Sequence, residues 1–131
     1  MNKYVVLLFI FWAWGNATYA SKITDFYEIE TVSPPRLLIE RYGKGGTQTD
    51  GLDFMPDGRL VACFVGGEVF TLDTKTGKWK LFADGLHTPL GVVALNDREV
   101  MVSQRPELTL LKDADGDGDA DEYSAFSDHF G

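Results

Sequence analysis

From Leu52 onward, short apolar runs alternate with clusters of Pro, Asp and Gly. In "GLDFMPDGRLVACFVGGEVFTLDTKTGKWKLFADG" the runs are Leu52 to Met55, Leu60 to Val65, Val69 to Leu72 and Trp79 to Phe82, separated by "PDG", "GG" and "DTKTG". Apolar runs this short, bounded by such turn residues, predict strands joined by hairpins, an antiparallel meander. No stretch keeps the period of an amphipathic helix. Trp79 and Phe82 fall where packing between repeats is expected, and Cys63, in "LVACFVGG", reads as a buried free thiol.

The pattern then recurs. Gly91 stands forty residues after Gly51; "PDGRLVA" is answered by "NDREVMV", "EVFTLD" by "ELTLLKD" and "KWKLFAD" by "EYSAFSD". Four strands per copy at a period near forty is the signature of a β-propeller blade, with a linear solenoid of hairpins as the other reading. The sequence therefore predicts an all-β chain holding two four-stranded antiparallel blades, residues 51–90 and 91–131. Closed propellers take roughly four to eight blades, so the expected partners are further downstream blades. Two sheets alone leave apolar faces bare, and aggregation or partial disorder is expected of the isolated chain.

The residues before Gly51 read differently. "VVLLFIFWAW" is an unbroken apolar run, followed by the small residues of "GNATYA". It is too short to span a bilayer comfortably and suits a signal-peptide core cleaved after Ala20. Residues 1–20 are thus expected to direct export to a periplasmic or extracellular location, with no stable membrane span after cleavage. Residues 21–50 read as an irregular lead-in with a strand-like piece at Leu37 to Ile39. The glycines of "GKGG" lack the Lys-Ser or Lys-Thr of a phosphate loop and read as a turn.

Charge narrows the partners. With 12 basic and 20 acidic residues the net charge is −8, and no basic cluster offsets it. Nucleic acid is not an expected partner.

Much of the acidity is in one place. "LLKDADGDGDADEY" puts Asp113, Asp115, Asp117, Asp119 and Asp121 at alternate positions, with Glu122 next and no Lys or Arg from Asp113 to Glu122. These residues lengthen the third turn of the second repeat. An EF-hand would need Glu at its twelfth position, where Ser124 stands. A nine-residue loop, D-x-D-x-D-G-x-x-D, fits better: Asp113, Asp115, Asp117 and Asp121 can converge, Gly118 permits the bend, and Asp119 can offer its carbonyl. A hard cation such as Ca2+ takes roughly six to eight oxygens. The loop is therefore a candidate structural calcium site pinning a hairpin. The plainer reading is a solvated Asp-Gly turn.

Two other residues are candidates for chemistry. His87, in "GLHTPLG" on the connection between repeats, can face a pocket and act as a base near neutral pH; it can equally hold the turn before Pro89. Arg105 follows a strand and precedes Pro106, where a guanidinium can meet an anion or form an ion pair with Glu107.

"GLDFMPDGRLV", "FADGLHTPLGV" and "QRPELTLLKDADGDGDADEY" resemble the amino-terminal part of large exported membrane-bound dehydrogenases of planctomycetes and verrucomicrobia. Those proteins are related to the soluble pyrroloquinoline-quinone (PQQ) sugar dehydrogenases of the glucose and sorbosone type, which are six-bladed propellers. The resemblance covers about residues 48–131. It implies oxidation of a sugar or alcohol, with hydride passing to bound PQQ, and places Arg105 towards an anionic cofactor. The haem-attachment CxxCH of the larger proteins has no counterpart in this sequence. The rival reading is a non-catalytic, calcium-stabilised propeller module that binds carbohydrate or protein.

Overall fold

A computed structural model describes residues 26–28, 30–45 and 47–129. The expected signal peptide, residues 1–20, lies outside the described residues. Among those described, no helix is long and apolar enough to cross a membrane.

Among the described residues, eight strands follow one helix. The first sheet holds β1 (Thr49–Phe54), β2 (Leu60–Phe64), β3 (Val69–Asp73) and β4 (Lys78–Ala83). The second holds β5 (Gly91–Ala94), β6 (Glu99–Ser103), β7 (Leu108–Lys112) and β8 (Glu122–Ser127). Each sheet is an antiparallel meander in sequence order. The all-β, two-sheet expectation therefore holds, and the repeat read in the sequence is a repeat in space.

The two sheets match in detail. A bulge shifts the register between Val69 and Phe70 in the first and between Leu108 and Thr109 in the second, so Phe82 and Phe126 are the unpaired residues of equivalent bulges. Such bulges re-aim side chains. Phe82 points into the space between the sheets, where it packs with Val61, Val69, Val92, Val100 and Leu111. Cys63 is buried in the same cluster as a free thiol, and burial pushes its pKa up.

Equivalent residues of the two repeats meet across this core. Gly51 of β1 faces Gly91 of β5 so closely that a Cβ on Gly51 would lie 2.8 Å from the Gly91 Cα. Asp53 Oδ2 accepts the Ala94 N–H at 2.9 Å, and Asp97 Oδ1 accepts the Asp57 N–H at 2.8 Å. Neighbours offset by about forty residues are what side-by-side stacking of repeats produces.

Two expectations are corrected. Residues Leu37 to Ile39 are not strand-like: they lie in α1 (Arg36–Tyr42), so the lead-in is not wholly irregular. "RLLIERY" is rich in good helix formers, Arg36 and Glu40 pair at 2.7 Å one turn apart, and Gly43 at φ 73° ends the helix. Leu38 is buried against Ala62, Phe64 and Phe70, on the face of the first sheet opposite to Phe82. Trp79 belongs to that face as well, edge-on to Phe64 and Phe70, with Nε1 donating to the Ser33 carbonyl at 2.8 Å. It packs under the helix rather than between the repeats.

Candidate functional site

Strand direction sorts the connections into two rims. Residues 65–68, 84–90 and 104–107 lie at one end of the sheets, and 55–59, 74–77, 95–98 and 113–121 at the other. His87 and Arg105 are on the first rim and the aspartates on the second, so the structure keeps the two candidate sites apart.

On the aspartate rim, Asp113, Asp115 and Asp117 each turn a carboxylate oxygen inward, the three lying within 4.8 Å of one another. Asp113 is buried, and its two oxygens accept the N–H groups of Gly116 (2.6 Å) and Gly118 (3.0 Å). Both glycines have positive φ, 86° and 91°, which lets the loop curl round this carboxylate. Asp115 Oδ1 accepts from the Asp117 N–H, and Asp117 Oδ1 from that of Asp119. Asp121 is outside the convergent trio. Its Oδ2 takes the N–H groups of Ala114 and Asp115, and its own N–H bonds to the Lys112 carbonyl, closing the loop.

The cations absent from the local sequence arrive from elsewhere. Lys80 of β4 donates to the Asp117 carbonyl and lies 3.1 Å from Asp119 Oδ1, turning the Asp119 side chain towards the first sheet. The Arg98 guanidinium rests against Gly116, where an added Cβ would come within 2.8 Å of its Cζ. Sequence reasoning missed both. Alternation along β4 could have flagged Lys80, which lies on the same face of the sheet as Val61 through its pairing with Thr71. The loop also grips the first sheet directly: Ala120 donates to the Phe82 carbonyl at 2.7 Å, and the Tyr123 hydroxyl accepts the Asp84 N–H at 3.3 Å. Burial, and then the nearby Asp84 charge, raise the Tyr123 pKa against the lowering effect of that bond.

On the opposite rim, His87 and Arg105 are brought together through their backbones. The Arg105 N–H donates to the His87 carbonyl at 3.1 Å, and the His87 N–H donates to Gln104 Oε1 at 2.5 Å. Gln104 is fixed in turn, its Nε2 donating to the Thr109 hydroxyl, which donates to Glu107 Oε1. Glu107 is therefore engaged with Thr109, and Arg105 takes part in none of the ion pairs among the described residues. Both side chains are exposed. Thr88 between His87 and Pro89 has φ 49°, a conformation a β-branched residue adopts only under constraint.

Glu68 also lies on this rim and was not foreseen. It is buried, and its Oε1 accepts from Arg41 Nη1 and the Tyr42 hydroxyl, both at 2.8 Å, while Oε2 has no partner. The Glu68 bond holds the Arg41 and Tyr42 pKa values above their usual ranges. Its geometry is that of a clamp on the end of α1.

A family model described as "Domain of unknown function (DUF7133)" matches residues 53–131. No curated protein and no solved structure matches the chain.

Proposed function

The chain belongs to the DUF7133 family, and we propose that its two sheets are blades of an exported, six-bladed β-propeller oxidoreductase that oxidises a sugar or alcohol with PQQ. The observation that carries this is the first rim, where His87 and Arg105 are both exposed on backbone segments that a hydrogen bond ties together. Arg105 suits a carboxylate of an anionic cofactor or substrate, because a guanidinium offers paired donors. His87 suits the removal of a hydroxyl proton. The quinone, when bound, supplies the hydride acceptor. Gln104 positions His87 through the backbone, and Thr109 and Glu107 position Gln104.

The 113–121 loop is proposed to hold Ca2+ in a structural role. Three hard oxygen donors converge there, which fits the ion's ligand preference, and Asp113, Asp115 and Asp117 would bind it. The loop is on the far rim from His87, so its role is to fix the second repeat against the first.

A second reading has its own support. A groove of about 160 Å³ on the aspartate rim is lined by Asp57, Arg59, Asp73, Thr74 and Lys75. A shallow polar groove suits a carbohydrate or a polar peptide, as a non-catalytic binding module would require.

Calorimetric titration with Ca2+ and then PQQ tests both. Saturable calcium binding lost in Asp113→Ala/Asp117→Ala, followed by PQQ binding weakened at least about tenfold by Arg105→Ala, a loss of about 1.4 kcal/mol, is expected. Calcium binding without PQQ binding in folded protein leaves the binding-module reading. No calcium binding at all makes the aspartates a solvated turn.

A further inference from the structure

We infer that the Asp84–Gly85 peptide is a site of spontaneous covalent modification, at which the folded chain converts aspartate to isoaspartate. The chemistry is that of any Asp-Gly step, where glycine offers no side chain to hinder ring closure. The Gly85 nitrogen attacks Cγ of Asp84 and an N–Cγ bond forms. The Cγ–OH bond breaks, and the hydroxyl leaves as water with the proton of the nitrogen. Water then adds to either carbonyl of the cyclic imide. Opening at Cγ restores aspartate, whereas opening at the α-carbonyl routes the backbone through Cβ and Cγ and leaves a free α-carboxylate. The reaction needs only water, and neither catalysis at His87 nor bound calcium enters it.

The sequence has five such steps, at Asp50, Asp57, Asp84, Asp115 and Asp117, and the fold disarms four of them. A backbone N–H held in a hydrogen bond must give it up before its nitrogen can attack. The Gly58 N–H donates to the Met55 carbonyl at 2.9 Å, and those of Gly116 and Gly118 donate to the two oxygens of Asp113. Gly51 lies in β1, paired with β2 and so close to Gly91 that a ring has no room to form. Gly85 differs on each count. It lies outside the strands and is exposed, and its N–H bonds to no group among the described residues. A Cβ on it would meet nothing within 4 Å. The Asp84 side chain is half-exposed, and its ion pair with Arg41, at 3.8 Å, is long and solvated, too weak to hold the carboxyl in place.

The consequence follows from the anchors on either side. Ala83 and Leu86 are both buried in the cluster around Phe82. The Asp84 N–H donates to the Tyr123 hydroxyl, and the Leu86 N–H to the Gly67 carbonyl at 3.1 Å. Isoaspartate adds one backbone atom between these fixed points, so the connection between them must bow. His87 is the residue after Leu86 and is displaced with it. The branch carboxylate, now one carbon shorter, draws back from Arg41.

The test incubates the 131-residue chain in heavy-oxygen water at about pH 5, where an ordinary aspartate is still partly protonated and can lose its hydroxyl as water. Each ring opening, in either direction, installs one heavy oxygen at the aspartate concerned. Peptide mass spectrometry with electron-transfer fragmentation locates the label and tells isoaspartate from aspartate. Resistance of Cys63 to a thiol reagent verifies that the sample is folded. In folded protein, label and isoaspartate are expected at Asp84 at least about tenfold above the other four sites, the factor that one retained hydrogen bond of about 1.4 kcal/mol supplies. In urea all five sites should label alike. Asp84→Asn and Asp57→Asn repeat the comparison with ammonia as the leaving group, and only the former should convert rapidly while folded. Equal labelling of the five sites in folded protein overturns the inference. So does an Asp84 that labels in urea but not in folded protein, which would mean that the connection is held as firmly as the other four steps.

Discussion

Gly51 and Gly91 occupy the same position in the two repeats, yet only one of them should tolerate a side chain. A Cβ on Gly51 would lie 2.8 Å from the Gly91 Cα, 3.0 Å from the Val92 nitrogen and 3.3 Å from Cys63 Sγ, whereas one on Gly91 meets nothing within 4 Å. Two of the three obstacles are backbone and cannot rotate away. Relief needs β1 and β5 to part, loosening the cluster around Phe82. Overpacking of this kind costs about 1–3 kcal/mol. Gly→Ala also stabilises by restricting the unfolded chain, by about 0.4–1 kcal/mol, and that contribution is common to both variants. Gly51→Ala should therefore fall below Gly91→Ala by about 1–3 kcal/mol, at roughly 4–8 °C of Tm per kcal/mol for a unit this size. Urea and thermal denaturation followed by circular dichroism would measure the gap. Equal stability of the two variants, within about 0.5 kcal/mol, would refute the claim that the inner strands meet backbone to backbone.

Three further outcomes are expected. Lys80→Ala, which removes a cation 3.1 Å from Asp119, should tighten calcium binding up to about fivefold, the range of an exposed charge pair of up to about 1 kcal/mol, and added salt should shrink the effect in calorimetry. Cys63, buried with a raised pKa, should resist a thiol-specific disulfide reagent at pH 8 in the native chain and react fully in urea. The Asp57 carboxyl is partly desolvated, which works to raise its pKa, but hydrogen bonds from the Arg59 N–H and guanidinium hold it below the usual range. A depressed folded pKa contributes stability that is complete above the unfolded value near 3.9 and is lost as pH falls through the folded one. Asp57→Asn should therefore flatten the acid limb of the stability curve below about pH 4, and a limb as steep as that of the parent would count against the Arg59 contact.

What could be read from the chain and what could not divide on physical lines. The strands were legible because turn residues punctuate them: "PDG", "GG" and "DTKTG" each sit at an observed hairpin. The helix was not, since three apolar residues in a row fit strand or helix equally and α1 is settled by the docking of Leu38. Trp79 and Phe82 are three residues apart, and simple alternation already puts an odd spacing on opposite faces; the bulge at Phe82 was invisible. The aspartate spacing was plain, but the cations beside it come from Lys80 and Arg98, which only the fold brings near. His87 and Arg105 were each legible as candidates, while their pairing needed the connection 84–90 to be laid against 104–107.

The contact between Ala120 and the Phe82 carbonyl bears on a separate problem, the exposed margin of a sheet. β4 is an outer strand, and an unpaired outer strand is a template for edge-to-edge association. The aspartate loop lays a backbone donor and a run of carboxylates along it, so that margin is blunted and carries charge that repels a like chain. β8 is the corresponding margin of the second sheet and is exposed along nearly its whole length. Of these two outer margins, the one left open to strand pairing is thereby β8, Glu122–Ser127, and a lysine or proline introduced there is where a solubilising substitution belongs.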